Sequence, residues 1–177
     1  MLQYIHMTLR EINTLYPDID INLSGGVDNY REGEPIIERH NVAVVIKHPA
    51  DELYLLAKWK NGWHGFMTGG IEGDVSLEDE VRRELVEETG YKNIKNIQEM
   101  DCVARGLFYH YVKNTNRLAH YHLVFAVLAD LEQEAISEEE LAIAEFIWVP
   151  REEVLNTLTR NDMKKLWNYY QSTESVV

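Results

Sequence analysis

Residues 76–91 read SLEDEVRRELVEETGY, and the fold turns on how this stretch is read. Ser76 suits a helix N-cap, Glu78, Asp79 and Glu80 place negative charge where the helix dipole favours it, and Gly90 stands where a helix ends in left-handed backbone. A helix is therefore expected over 76–89. With Glu84 set at zero and about 100° per residue, Glu87 lies near −60° and Glu88 near +40°, so the three carboxylates share one face. Like-charged neighbours of this kind repel by about 0.2–0.5 kcal/mol per pair, and Glu80 adds to the load on Glu84, so a compensating cation is expected. Mg²⁺ suits such a face, because it takes hard oxygen ligands from one or two carboxylates, from phosphates and from water. Val81 and Leu85, one turn apart, supply the apolar stripe that would fix the helix on a sheet and hold the acids rigidly.

Upstream, FMTGGIEGD (66–74) places Gly69, Gly70 and Gly73 beside the acidic face, and the stretch 63–74 reads as a glycine-rich loop that permits close backbone approach. NVAVVIK (41–47) and LYLLAKW (53–59) are apolar, partly β-branched runs around His-Pro-Ala-Asp and read as a hairpin. Downstream, strands are expected at 102–112, 118–129 and 146–149, and helices at 151–158 and 161–170. Leu2, Ile5, Leu9, Ile12 and Tyr16 fall three and four apart, so the first sixteen residues read as an amphipathic helix ended by Pro17. NLSGGVDNYREGEP (22–35) then reads as a linker. Residues 1–35 are accordingly expected as an extension, and 36–177 as the main domain. Strands on both sides of one helix, in no strict alternation, predict a mixed sheet between helices: an α/β (α+β) fold, arranged as a three-layer α/β/α sandwich.

Composition narrows the function. The 177 residues are 45% hydrophobic and carry 17 Lys plus Arg against 30 Asp plus Glu, a formal charge of −13. That is material for a real core, and a field that disfavours binding nucleic acid through a basic surface. Cys102 is the single cysteine, which excludes an internal disulfide and points to a reducing compartment. The N-terminal stretch has no signal-peptide core, and the apolar run 123–129 is far short of a membrane span, so a cytoplasmic protein without membrane association is expected.

Residues 83–91, RELVEETGY, resemble the second half of the Nudix box, G-x5-E-x7-R-E-U-x-E-E-x-G-U, with Gly69 at the opening glycine. LYLLAKWKNGWHGFMTGG and EFIWVPREEV resemble the flanking segments of that family, so the likeness runs over about 36–158. The resemblance implies a Nudix-fold pyrophosphohydrolase in which Glu84, Glu87 and Glu88 coordinate Mg²⁺ or Mn²⁺. One of the three would also orient or deprotonate the attacking water, and Arg83 would hold the loop or helix in place. Gly69, Gly70 and Trp63 are the candidate substrate contacts, and the implied substrate is a nucleoside diphosphate linked to another moiety. Val75 stands where the box has its first Glu, which in the family often pairs with the Arg; Asp74 and Glu72 are then the candidate partners for Arg83. A homodimer, common among relatives, would use the N-terminal helix and loop.

A further acidic ligand is sought in SEEELAIAEF, among Glu138, Glu139, Glu140 and Glu145, with Glu145 favoured. His120 and His122 alternate on one strand and share a face, where they either line a pocket, ligate metal or hydrogen-bond within the sheet; His40 and His110 pose the same choice. Trp59, Trp63, Phe66 and Tyr109 either stack a base or fill the core. Two other functions compete with catalysis. Val75 motivates a binding or regulatory module on the same fold, and REGEPIIER with GWHGFMTGGIE resembles Nudix-like segments attached to bacterial leucyl-tRNA synthetases.

Overall fold

The computed structural model describes residues 3–5, 7–71, 73 and 75–174. In chain order the elements are β1 (Gln3–Ile5), α1 (Leu9–Leu15), β2 (Asp20–Ile21), β3 (Ile36–Lys47), β4 (Leu53–Trp59), β5 (His64–Gly65), β6 (Met67–Gly70), α2 (Leu77–Thr89), β7 (Ile94–His110), β8 (Thr115–Leu128), α3 (Glu138–Leu141), β9 (Ala144–Pro150), α4 (Arg151–Thr157) and α5 (Asn161–Glu174).

The spine of the sheet is β3. One edge of it pairs in parallel with β8 from Ile36↔Asn116 to Lys47↔Val127. Its other edge takes β1, β6 and β4 in succession, each antiparallel. The path β2-β7-β8-β3-β4-β5 is completed by β9 on β4. Alternation along β3 sends Val42, Val44 and Ile46 to one face, where they cluster with Val81 and Leu85 of α2. Ala43 and Val45 go to the other, with Val154 of α4 and Leu166, Trp167 and Tyr170 of α5. A strand covered on both faces must be apolar throughout, which is why 41–47 reads as a continuous run. The outcome is the expected α/β/α arrangement around a mixed sheet. Among the described residues no helix is long and apolar enough to cross a membrane.

Three local expectations are corrected. The N-terminal helix is only α1, and Leu2 lies outside the described residues. Thr8 starts the helix with a capping box: its hydroxyl accepts from the Glu11 amide at 3.3 Å, while the Glu11 carboxylate accepts from the Thr8 amide at 2.7 Å. Residues before that cap pair with β3 as β1, Ile12 is fully buried beside Ile36, Leu107 and Leu118, and β2 adds a parallel pairing to β7. Second, 63–74 contains β5 and β6, because Gly69 and Gly70 pair with Val42 and Asn41 of β3. Third, β7 starts at Ile94 rather than 102; the register shift between Glu99 and Val103 interrupts the alternation that would have announced it.

Candidate active site

The helix α2 forms for the reasons its sequence offers. The Ser76 hydroxyl accepts from the Asp79 amide at 3.1 Å, acids fill the first turn, and Gly90 adopts φ 75° to close the last one. Val81 and Leu85 are fully buried on the sheet, which turns the acidic face toward β6.

Arg83 organises that face. Its guanidinium donates to Glu84 at 2.5 Å and Glu87 at 2.6 Å, and to the buried carboxylate of Glu80. The candidates Asp74 and Glu72 lie outside the described residues, and Val75 is exposed. Glu80, three residues before Arg83 on the same helix, is the anchor that sequence reasoning counted only as a repulsive charge. Burial lifts the Glu84 carboxyl to about 7 against the pull of Arg83, and Glu80 adds to the lift.

Glu84 is pressed against Gly69: a Cβ there would collide with the Glu84 carboxylate. Gly70, facing the other way, is covered by the Arg39 guanidinium. Both glycines therefore lie in a strand and admit side chains to the backbone, and of the three glycines here it is Gly73 that has positive φ. Glu84, Glu87 and Glu88 do not converge within 4.8 Å of one another. They do fit a hydrated Mg²⁺ or Mn²⁺, since such an ion keeps several waters and needs one or two carboxylates, and Glu84 and Glu87 already draw the Arg83 guanidinium.

On the opposite face a cavity of about 540 Å³ is lined by Trp59, Trp63, His110, Lys113 and Arg117 and reaches Thr68 in β6. Trp63 meets Phe108 edge-on at 5.3 Å, and Arg160, fixed by its pair with buried Asp162, lies 4.2 Å above the Trp63 ring. Phe66 is core, and Tyr109 is buried with the Arg31 guanidinium 3.6 Å from its ring. Arg117 is half-buried, its Nε has no hydrogen-bond partner among the described residues, and burial followed by the charge of Arg39 pushes its pKa down. His110 is lowered too, by burial first and then by Arg117, Lys113 and Arg39. Sequence reasoning missed Arg117, since nothing local separates it from a surface arginine.

His120 and His122 do share a face, the one that carries α2, and both hydrogen-bond there, His120 to Glu38 and His122 to His40. Of the acids outside the box, Glu145 is exposed beside Lys58 at 3.6 Å. Its neighbours Phe146 and Trp148 join the cluster under α2, so alternation turns Glu145 to the far side. The short helix α3 packs against α2, which brings Glu138 and Glu139 nearer the box; the Glu140 side chain lies outside the described set.

A family profile described as NUDIX domain matches residues 38–170. No curated protein matches the chain in sequence. Among solved structures, the chain resembles the dihydroneopterin triphosphate pyrophosphohydrolase of E. coli at TM-score 0.57 and 11% identity, covering 72% of this chain and 91% of that one. It resembles the NUDIX domain of Shewanella oneidensis NrtR, solved with ADP ribose, at TM-score 0.55 and 21% identity, covering 79% and 89%. A C. elegans Ap4A hydrolase follows at TM-score 0.52 and 12% identity, covering 78% and 99%. These identities establish the fold, and the profile, spanning most of the chain, establishes the kinship: the chain belongs to the NUDIX domain family.

Proposed function

We propose that the chain is a metal-dependent hydrolase of the diphosphate bond in a nucleoside diphosphate linked to another moiety. The observation behind this reading is the Arg83-centred set of carboxylates on α2, with Glu84 half-buried against Gly69 and a cavity beginning at the neighbouring Thr68. Glu84, Glu87 and Glu88 would hold Mg²⁺ or Mn²⁺, which when bound polarises phosphoryl oxygens and lowers the pKa of an attacking water. Arg83 positions the Glu84 and Glu87 carboxylates. Burial lifts the Glu84 carboxyl to about 7 in the metal-free chain, and a cation held there would favour its carboxylate form. In the cavity Trp63 and Trp59 offer faces and edges to a base or sugar, and Arg117, which pairs with no carboxylate among the described residues, offers positive charge to an anionic substituent.

Glu138 or Glu139 supplies any acid needed from outside the box. We read the protein as cytoplasmic on the strength of its lone thiol. Exposed Leu15, Leu23 and Val27 along the first 35 residues are the surface for a homodimer, in keeping with the reading of that segment as an extension to the domain. ADP-ribose, the molecule bound in the NrtR structure, heads the substrates to try.

The test incubates the protein with Mg²⁺ or Mn²⁺ and nucleotide sugars, dinucleoside polyphosphates and nucleoside triphosphates, and follows release of nucleoside monophosphate or phosphate. Glu87→Gln and Glu88→Gln are expected to lower turnover at least 100-fold with the far-UV spectrum unchanged. A wild-type rate in either removes that residue from the mechanism. Binding without turnover across the whole panel favours the regulatory-module reading that Val75 motivates.

A further inference from the structure

On the sheet face that carries α2, the parallel register of β3 and β8 sets His40 directly opposite His120 and Val42 opposite His122, while Glu38 comes two residues before His40. Four polar side chains are thus brought to one patch by backbone pairing between segments about 80 residues apart. His120 Nε2 lies 2.7 Å from Glu38 Oε1, and His40 Nδ1 lies 2.9 Å from His122 Nε2. The His40 and His120 rings stack at 4.6 Å with 13° between their planes. Glu38, His40 and His120 each present a ligand atom within 4.8 Å of the other two, and among the described residues no other group of three or more His, Cys, Asp or Glu does so.

We propose that Glu38, His40 and His120, with His122 as the fourth donor, form a metal site for Zn²⁺ or a similar borderline divalent ion, separate from the carboxylates of the box. The donor set decides the class of ion: three imidazoles to one carboxylate select Zn²⁺, Co²⁺ or Ni²⁺ over Mg²⁺, whose preference is oxygen. A tetrahedral ion with bonds of about 2.0–2.1 Å sets its ligand atoms about 3.4 Å apart, so with His120 held in place the exposed His40 ring must turn out of its stack on His120, and His122, which lies outside the 4.8 Å group, must turn with it. The outer shell is present as well, since the Tyr16 hydroxyl reaches Glu38 Oε1 at 3.5 Å and its ring meets His120 edge-on at 5.3 Å. His120 is 4% exposed and locked in place, whereas His40 is exposed and leaves a way in. The site does not depend on the hydrolase reading, because none of its four residues belongs to the box.

The test is Co²⁺ binding by the metal-stripped full chain, followed through the intense visible absorption of four-coordinate Co²⁺ and through its displacement by Zn²⁺, with excess Mg²⁺ present to fill the box. One equivalent is expected to bind. His40→Ala, at an exposed position, and His120→Gln should each weaken binding about 100-fold, while Glu87→Gln should leave it unchanged. An absorption that never appears, that survives in His40→Ala, or that is lost in Glu87→Gln overturns the proposal. Should His120→Gln fail to fold, His40→Ala and His122→Ala carry the test alone.

Discussion

At the scale of single residues, the contact between Gly69 and Glu84 couples backbone shape to the acid that the proposed reaction most needs. Gly69→Ala forces the Glu84 carboxylate off its position. Overpacking of this kind costs about 1–3 kcal/mol, and a shifted ligand should lower kcat at least tenfold with KM little changed. Denaturant midpoints and steady-state kinetics check both. Arg117 behaves in the opposite sense. No carboxylate among the described residues pairs with it, so the fold gains nothing from its charge. Arg117→Met is expected to melt at or above the wild-type temperature while raising KM about tenfold for substrates with an anionic group beyond the nucleoside. An unchanged KM across such substrates removes Arg117 from recognition.

At the scale of elements, α2 depends on its two ends. Ser76→Ala removes the bond to the Asp79 amide and should cost about 1 kcal/mol. Gly90→Ala should cost more, since φ 75° disfavours any Cβ and this one would also strike the Glu134 carbonyl. Urea titration of both variants checks the order. This helix was legible because cap, charge and period agreed within sixteen residues, and the box legible with it. The first sixteen residues misled because Leu2, Ile5 and Leu9 continue a helical spacing that Ile12 and Tyr16 do obey. The capping box at Thr8 and Glu11 was the local sign that the helix starts later. Strands β5 and β6 were hidden by glycines, which read as loop until a partner strand is known. The cavity and the histidine patch were illegible as units: Arg117, His110, Glu38 and His120 meet only through β3, β7 and β8 pairing, which no local window contains.

For the whole molecule, burial and the surrounding positive charges shape the response to acid. His110 faces Arg117 from β8, Arg39 from β3 and Lys113 from the turn, and its folded pKa lies below the ordinary value. In the window from about 6.5 down to that lower value the unfolded chain binds the extra proton more readily, so this contribution to stability is present above 6.5 and is lost as pH falls. In the metal-stripped protein two groups oppose each other between pH 7 and pH 5.5: the Glu84 carboxyl, lifted to about 7, favours the fold as pH falls, and His110 disfavours it, so His110→Gln should shift the slope of the urea midpoint toward greater stability in acid. An unaltered slope in that variant would remove His110 from the acid response.

The β3–β8 pairing also has a bearing on birth at the ribosome. At about 5–20 residues per second, some 80 residues of synthesis separate His40 from its partner His120, so a strand that ends up walled in on both sides waits roughly 4–16 s for its neighbour. During that interval the sticky run Val42–Ile46 is naked to other nascent chains, and a holdase that shelters it should raise the yield of soluble protein.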